Sequence, residues 1–161
     1  MGEFERPVRF LSSSQDETET IGRNVGAFLL TRGGDAVLCF YGDLGAGKTS
    51  FIRGLATAFG IPGRDIGSAS FIIVAEYETS PPFYHIDLYR VTGEDDLEST
   101  GVWDTLESGG IAAVEWAERL PCLPKGAIIV RIDHRRDDTR EIIIEGLPEG
   151  VLDGKKDSEN R

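Results

Sequence analysis

With 161 residues, 40% of them hydrophobic and 28% charged, the chain has the size and composition of one soluble globular domain rather than a disordered or membrane protein. No apolar run approaches the roughly 20 residues that cross a bilayer, so no membrane association is expected, and Met1 to Glu19 lacks a basic-then-apolar export signal. A formal charge of −11 repels phosphate backbones over long range, so any contact with nucleic acid is expected to be weak, local or made through a partner.

In chain order, Val8 to Leu11 reads as a short edge strand. A helix is expected from Asp16, because Ile21, Val25 and Leu29 recur every four residues with Phe28 beside them; Gly33 and Gly34 end it. Ala36 to Tyr41 is apolar at every position, as a strand covered on both faces requires. A glycine-rich turn leads into a helix over Thr49 to Phe59, where Phe51, Leu55 and Phe59 form a stripe flanked by Ile52 and Ala56. Gly60 and Pro62 stop it.

Strands over Phe71 to Tyr77 and Phe83 to Leu88 pair across Ser80-Pro81-Pro82. Thr92, with Asp95 three residues on, is the expected start of a short acidic helix. Ile111 to Val114 is a buried strand, and Ala127 to Ile132 with Arg140 to Glu145 form a hairpin around Arg135 to Asp138. The expected architecture is α/β: a P-loop NTPase-like three-layer fold with a mostly parallel central sheet and an antiparallel hairpin near the carboxyl end. It occupies residues 1–152 as one domain, with 153–161 a mobile polar tail. Cys39 lies in an apolar run and Cys122 in a loop, with no disulfide or metal spacing, which suits a reducing cytoplasm.

Gly42-Asp43-Leu44-Gly45-Ala46-Gly47-Lys48-Thr49 is a full G-x-x-x-x-G-K-T match between a strand and a helix. Gly42, Gly45 and Gly47 permit the tight turn that aims successive N–H groups at phosphate oxygens. Lys48 brings a point charge to the outer phosphates, the Thr49 hydroxyl suits Mg²⁺, and the helix amino end through Ser50 adds its dipole. The expected ligand is therefore a nucleoside triphosphate with Mg²⁺, held by Asp43, Leu44, Gly45, Ala46, Gly47, Lys48, Thr49 and Ser50. A carboxylate must complete the metal site, and two are candidates. Glu115 follows a buried strand, where open α/β sheets bind ligands. Asp87 lies in Tyr84-His85-Ile86-Asp87-Leu88-Tyr89-Arg90, where alternation puts His85, Asp87 and Tyr89 on one face. His85 reads most simply as a structural group and Trp103 as core, while Trp116 reads either as core or, since it abuts Glu115, as packing near the nucleotide.

The glycine motif, Ser68-Ala69-Ser70-Phe71, His85-Ile86-Asp87-Leu88-Tyr89-Arg90 and Val114-Glu115-Trp116 occur in this order. Together they resemble the TsaE (YjeE) family of bacterial ATPases, which serve threonylcarbamoyladenosine modification of tRNA. The resemblance spans about Thr18 to Glu145. It implies that Thr49 and Glu115 hold Mg²⁺, that Lys48, Asp87 and Glu115 serve hydrolysis, that Ser68 to Phe71 form a switch-like loop, and that Arg140 lies near the nucleotide. It also implies the TsaD–TsaB assembly as partner, with tRNA reached indirectly. The family usually has Ser-Pro-Thr-Phe where this chain has Ala69 and Ser70, which loosens that loop. A small-molecule P-loop kinase normally carries an arginine-bearing lid, and a GTPase Asn-Lys-x-Asp; neither is visible. A non-hydrolysing nucleotide-binding regulator is the alternative of another class. No base-reading motif is visible, and Ser14 to Thr18 are the candidate adenine contacts.

Overall fold

A computed structural model describes residues 6–67, 73–148 and 150–152. Along the chain run β1 (Val8–Ser12), α1 (Gln15–Arg32), β2 (Ala36–Tyr41), α2 (Lys48–Thr57), β3 (Val74–Tyr77), β4 (Phe83–Asp87), α3 (Glu94–Ser99), α4 (Val102–Glu107), β5 (Ile111–Glu115), β6 (Ile128–His134) and β7 (Arg140–Glu145). The described strands form one seven-stranded sheet in the order β1-β7-β6-β2-β5-β4-β3.

The four central strands β6, β2, β5 and β4 are parallel, whereas β7 on β6, β1 on β7 and β3 on β4 are antiparallel. The sheet is thus mixed rather than mostly parallel. Short connections explain the difference: a few residues between β3 and β4, or between β6 and β7, can only reverse the chain, while a parallel neighbour needs a long crossover. The antiparallel hairpin at the carboxyl side is present as expected, and β1 is an edge strand.

Alternation along the central strands divides the core. Leu38, Phe40, Ile111 and Ala113 face α1 and α2 and pack with Val25, Leu29, Phe51, Ile52 and Leu55. Cys39, Ala112, Val114 and Ile86 face the other way, onto Leu97 of α3 and Val102 of α4. Helices therefore cover both faces. Full burial of side chains this size contributes roughly 1.5–3 kcal/mol each.

α1 begins where Ser14 caps the helix: its Oγ accepts the Glu17 N–H at 3.0 Å, while Glu17 Oε2 accepts the Ser13 N–H at 2.8 Å. It ends at Gly33, whose φ of 72° requires no side chain. Where α1 meets α2 the backbones nearly touch. A Cβ on Gly54 would lie 1.8 Å from the Glu19 carbonyl oxygen, and one on Gly22 2.1 Å from that of Phe51.

The acidic helix differs in detail from expectation. Asp96, not Asp95, holds its start, accepting the Thr92 N–H at 2.9 Å through Oδ2. Gly101, at φ 71°, then breaks the segment and starts a second helix, α4. Trp103 on α4 is half-buried against the core, as expected. The loop Ser68 to Phe71, the first residues of the strand expected from Phe71, and the tail from Asp153 lie outside the described residues.

Candidate functional site

Parallel pairing brings the carboxyl ends of β2, β5, β4 and β6 to one edge of the sheet. Two antiparallel steps align β1 with them, so Ser12 ends there too. Arg140, opposite both Ser12 and His134 in register, enters β7 at the same edge. This edge collects the residues singled out from the sequence.

From β2 the chain turns through Gly42 (φ 153°), Gly45 (φ 78°) and Gly47 (φ 114°) before α2 starts at Lys48. These conformations strain any residue with a Cβ. Asp43, Leu44 and Gly45 are exposed, Leu44 by 75%, whereas Ala46 is buried and Ser50 half-buried. The Asp43 carbonyl accepts the Ala46 N–H at 3.1 Å, folding the loop back on itself. Gly42 is also pressed against β6, since a Cβ there would sit 2.4 Å from the Ile132 oxygen.

Lys48 is 5% exposed. Its ammonium donates to the Gly42 carbonyl and, at 3.3 Å, to that of Asp43. It also lies 3.9 Å from the centroid of the Trp116 ring, a cation–π contact. Burial pulls the Lys48 pKa below the ordinary 10.5, against the opposing pull of Glu115, Glu118, Asp87 and Asp43. Trp116 has left-handed backbone (φ 58°), uncommon for a bulky residue, and its ring stands 5.0 Å from that of Tyr89.

Glu115 is not a solvated strand end: it is 4% exposed. Its Oε1 accepts the Thr49 hydroxyl at 3.0 Å, and its Oε2 lies 2.7 Å from His85 Nε2. Asp87 is the register partner of Glu115 on β4 and is half-buried. Its Oδ1 accepts the Tyr89 N–H at 3.0 Å. Thr49, Glu115, Asp87 and Lys48 are thus brought together from three elements.

Arg140 joins them from the far side. Its Cδ and Nε lie 3.1 Å from where a Cβ on Gly47 would be, so the guanidinium covers the turn at the foot of α2. Among the described residues its Nε is buried without a hydrogen-bond partner. A buried donor left unmade costs roughly 1–3 kcal/mol, and an anion bound at the loop would relieve that cost. Thr49 and Glu115 offer oxygen only, which suits a hard cation such as Mg²⁺ that keeps several waters. No described group of three or more His, Cys, Asp or Glu could hold a metal alone.

The sequence reading missed what His85 does. Alternation placed it on the right face, but its contact is with Glu115, 30 residues on, and no local pattern encodes that distance. The candidate adenine segment, Ser14 to Thr18, starts α1 at this same edge, where Thr18 is buried and its hydroxyl lies 2.7 Å from that of Ser12.

These features define an α/β protein with a glycine-loop site at the carboxyl edge of its parallel strands. The family model described as "Threonylcarbamoyl adenosine biosynthesis protein TsaE" matches residues 12–142. The chain belongs to the TsaE family. It is 37% identical over 139 residues to the tRNA threonylcarbamoyladenosine biosynthesis protein TsaE of Bacillus subtilis, covering 85% of this chain and 84% of that one. With the protein of the same name in Treponema pallidum it shares 34% over 138 residues, covering 85% and 99%. The crystal structure of Bacillus subtilis YdiB superposes with a TM-score of 0.67 at 31% identity, covering 89% of this chain and 87% of that one. Among the described residues no helix is long and apolar enough to cross a membrane.

Proposed function

We propose that this chain is a P-loop ATPase that binds ATP with Mg²⁺ at the glycine loop, hydrolyses it, and serves threonylcarbamoyladenosine modification of tRNA through a TsaD–TsaB-like assembly in the cytoplasm. The observation that carries the site is the convergence of Lys48, the Thr49–Glu115 pair and the Arg140 Nε, partnerless among the described residues, on one turn of positive-φ glycines. The names of the relatives carry the pathway.

Each residue has a task that its position supports. The amides of Asp43 to Ser50 bind the outer phosphates, helped by the positive end of α2. Lys48 exchanges the carbonyls of Gly42 and Asp43 for phosphate oxygens, and the Trp116 ring steadies its ammonium meanwhile. Arg140 closes over Gly47 and neutralises charge that builds on the phosphoryl oxygens. Thr49 and Glu115 hold Mg²⁺, which when bound neutralises polyphosphate charge. Asp87, beside Glu115 at the strand end, orients the attacking water and takes its proton.

Phosphate release from ATP tests this reading, with and without Mg²⁺ and with and without the partner assembly. Asp87→Ala is expected to lose about 10²-fold or more of turnover, the usual size of acid–base assistance, and Glu115→Ala to lose turnover together with its Mg²⁺ dependence, both retaining some nucleotide binding. Parent-like hydrolysis by both variants would remove the carboxylates from the mechanism.

A further inference from the structure

Glu115 offers two oxygens and the fold spends them differently. Oε1 faces the Thr49 hydroxyl at 3.0 Å, while Oε2 is taken by His85 Nε2 at 2.7 Å. Both partners of the second contact are sealed from water, His85 at 6% exposure and Glu115 at 4%. The register explains how they meet: on parallel β4 and β5, Asp87 pairs with Glu115 and His85 with Ala113, so His85 lies one pleat behind the carboxylate on the same face. A carboxylate oxygen accepts, so the shared proton sits on Nε2 and the ring donates.

We propose that His85 is a positioning residue that fixes the Glu115 carboxylate in one orientation, leaving Oε1 alone to meet a metal ion beside Thr49. The inference rests on the Mg²⁺–nucleotide reading of the site. A carboxylate free to rotate would offer either oxygen or both; one oxygen held by a rigid ring cannot turn away from its partner. Hydrogen bonds behind a ligating group orient it, and their loss typically costs 10–100-fold in metal affinity. Phe83, the preceding residue on this face of β4, is fully buried and apolar. Among the described residues the polar group that His85 meets is the Glu115 carboxylate.

The test is ADP binding, measured by calorimetry as Mg²⁺ is titrated, for the parent, His85→Leu and His85→Gln. The Leu variant removes the donor at similar volume, and the Gln variant retains an N–H donor at the reach of Nε2. His85→Leu is expected to raise the Mg²⁺ concentration for half-maximal enhancement of ADP affinity by about 10–100-fold, to leave metal-free ADP affinity unchanged, and to be largely rescued in His85→Gln. Equal Mg²⁺ dependence in parent and Leu variant overturns the proposal. So does an equal loss of metal-free affinity, which would mark His85 as a packing residue only. If His85→Leu does not fold, His85→Asn, whose amide is too short to reach Glu115, takes its place against His85→Gln. If Mg²⁺ fails to enhance ADP binding even in the parent, the metal reading of the site falls, and this inference with it.

Discussion

Lys48 holds a charge in a place that penalises it. The ammonium is nearly sealed from solvent, and burial outweighs four carboxylates in setting its pKa below 10.5. The sign of the consequence follows. Between the folded pKa and the ordinary value, the folded protein binds fewer protons than the unfolded chain, so the unliganded fold gains stability as pH rises through that window. Under the proposed function nucleotide binding would run the other way, because it would use the ammonium. ADP affinity is expected to weaken as pH climbs toward 10.5, with the loss beginning below the value an ordinary lysine would dictate. An affinity constant across that range would show that the Lys48 charge contributes nothing. The type of each loop residue was legible in the sequence, because backbone turns, cation and hydroxyl at fixed spacing have few other uses. The burial of Glu115 and its hold by His85 were not, since both depend on strands that meet only after folding.

At the scale of elements, helix positions were legible from apolar period and glycine stops, with ends shifted by one or two residues. α4 escaped notice because six residues give too little periodicity to recognise. The α1–α2 crossing escaped too: glycine is unfavourable inside a helix, yet at Gly22 and Gly54 one backbone meets another. This crossing matters because α2 carries the glycine loop at its amino end. Gly54→Ala would drive a methyl group into the Glu19 carbonyl, and overpacking of this kind costs about 1–3 kcal/mol or more. Its thermal midpoint should fall by roughly 2–4 °C for each kcal/mol lost, as a calorimetric melt would register. A midpoint equal to the parent's would mean the two helices part without cost.

For the whole molecule, hairpins and buried strands could be read locally, but the order β1-β7-β6-β2-β5-β4-β3 could not. Placing β2 between β5 and β6 depends on pairings of 70 and more positions in sequence, as with Leu38 opposite both Ala113 and Ile128. That order sets the glycine loop between the ends of β5 and β6, so that Glu115 reaches it from one side and the β6–β7 hairpin delivers Arg140 from the other. The negative charge of the chain would make the proposed polyphosphate site a local exception on a surface that repels phosphate at long range. The most direct measurement is a calorimetric titration of ATP with Mg²⁺ into the parent and into Lys48→Ala. The account predicts saturable one-site binding by the parent, weakened on the order of 10- to 100-fold by the substitution, the worth of a charged hydrogen bond. Equal affinity in the two proteins, or no heat of binding in the parent, would contradict it.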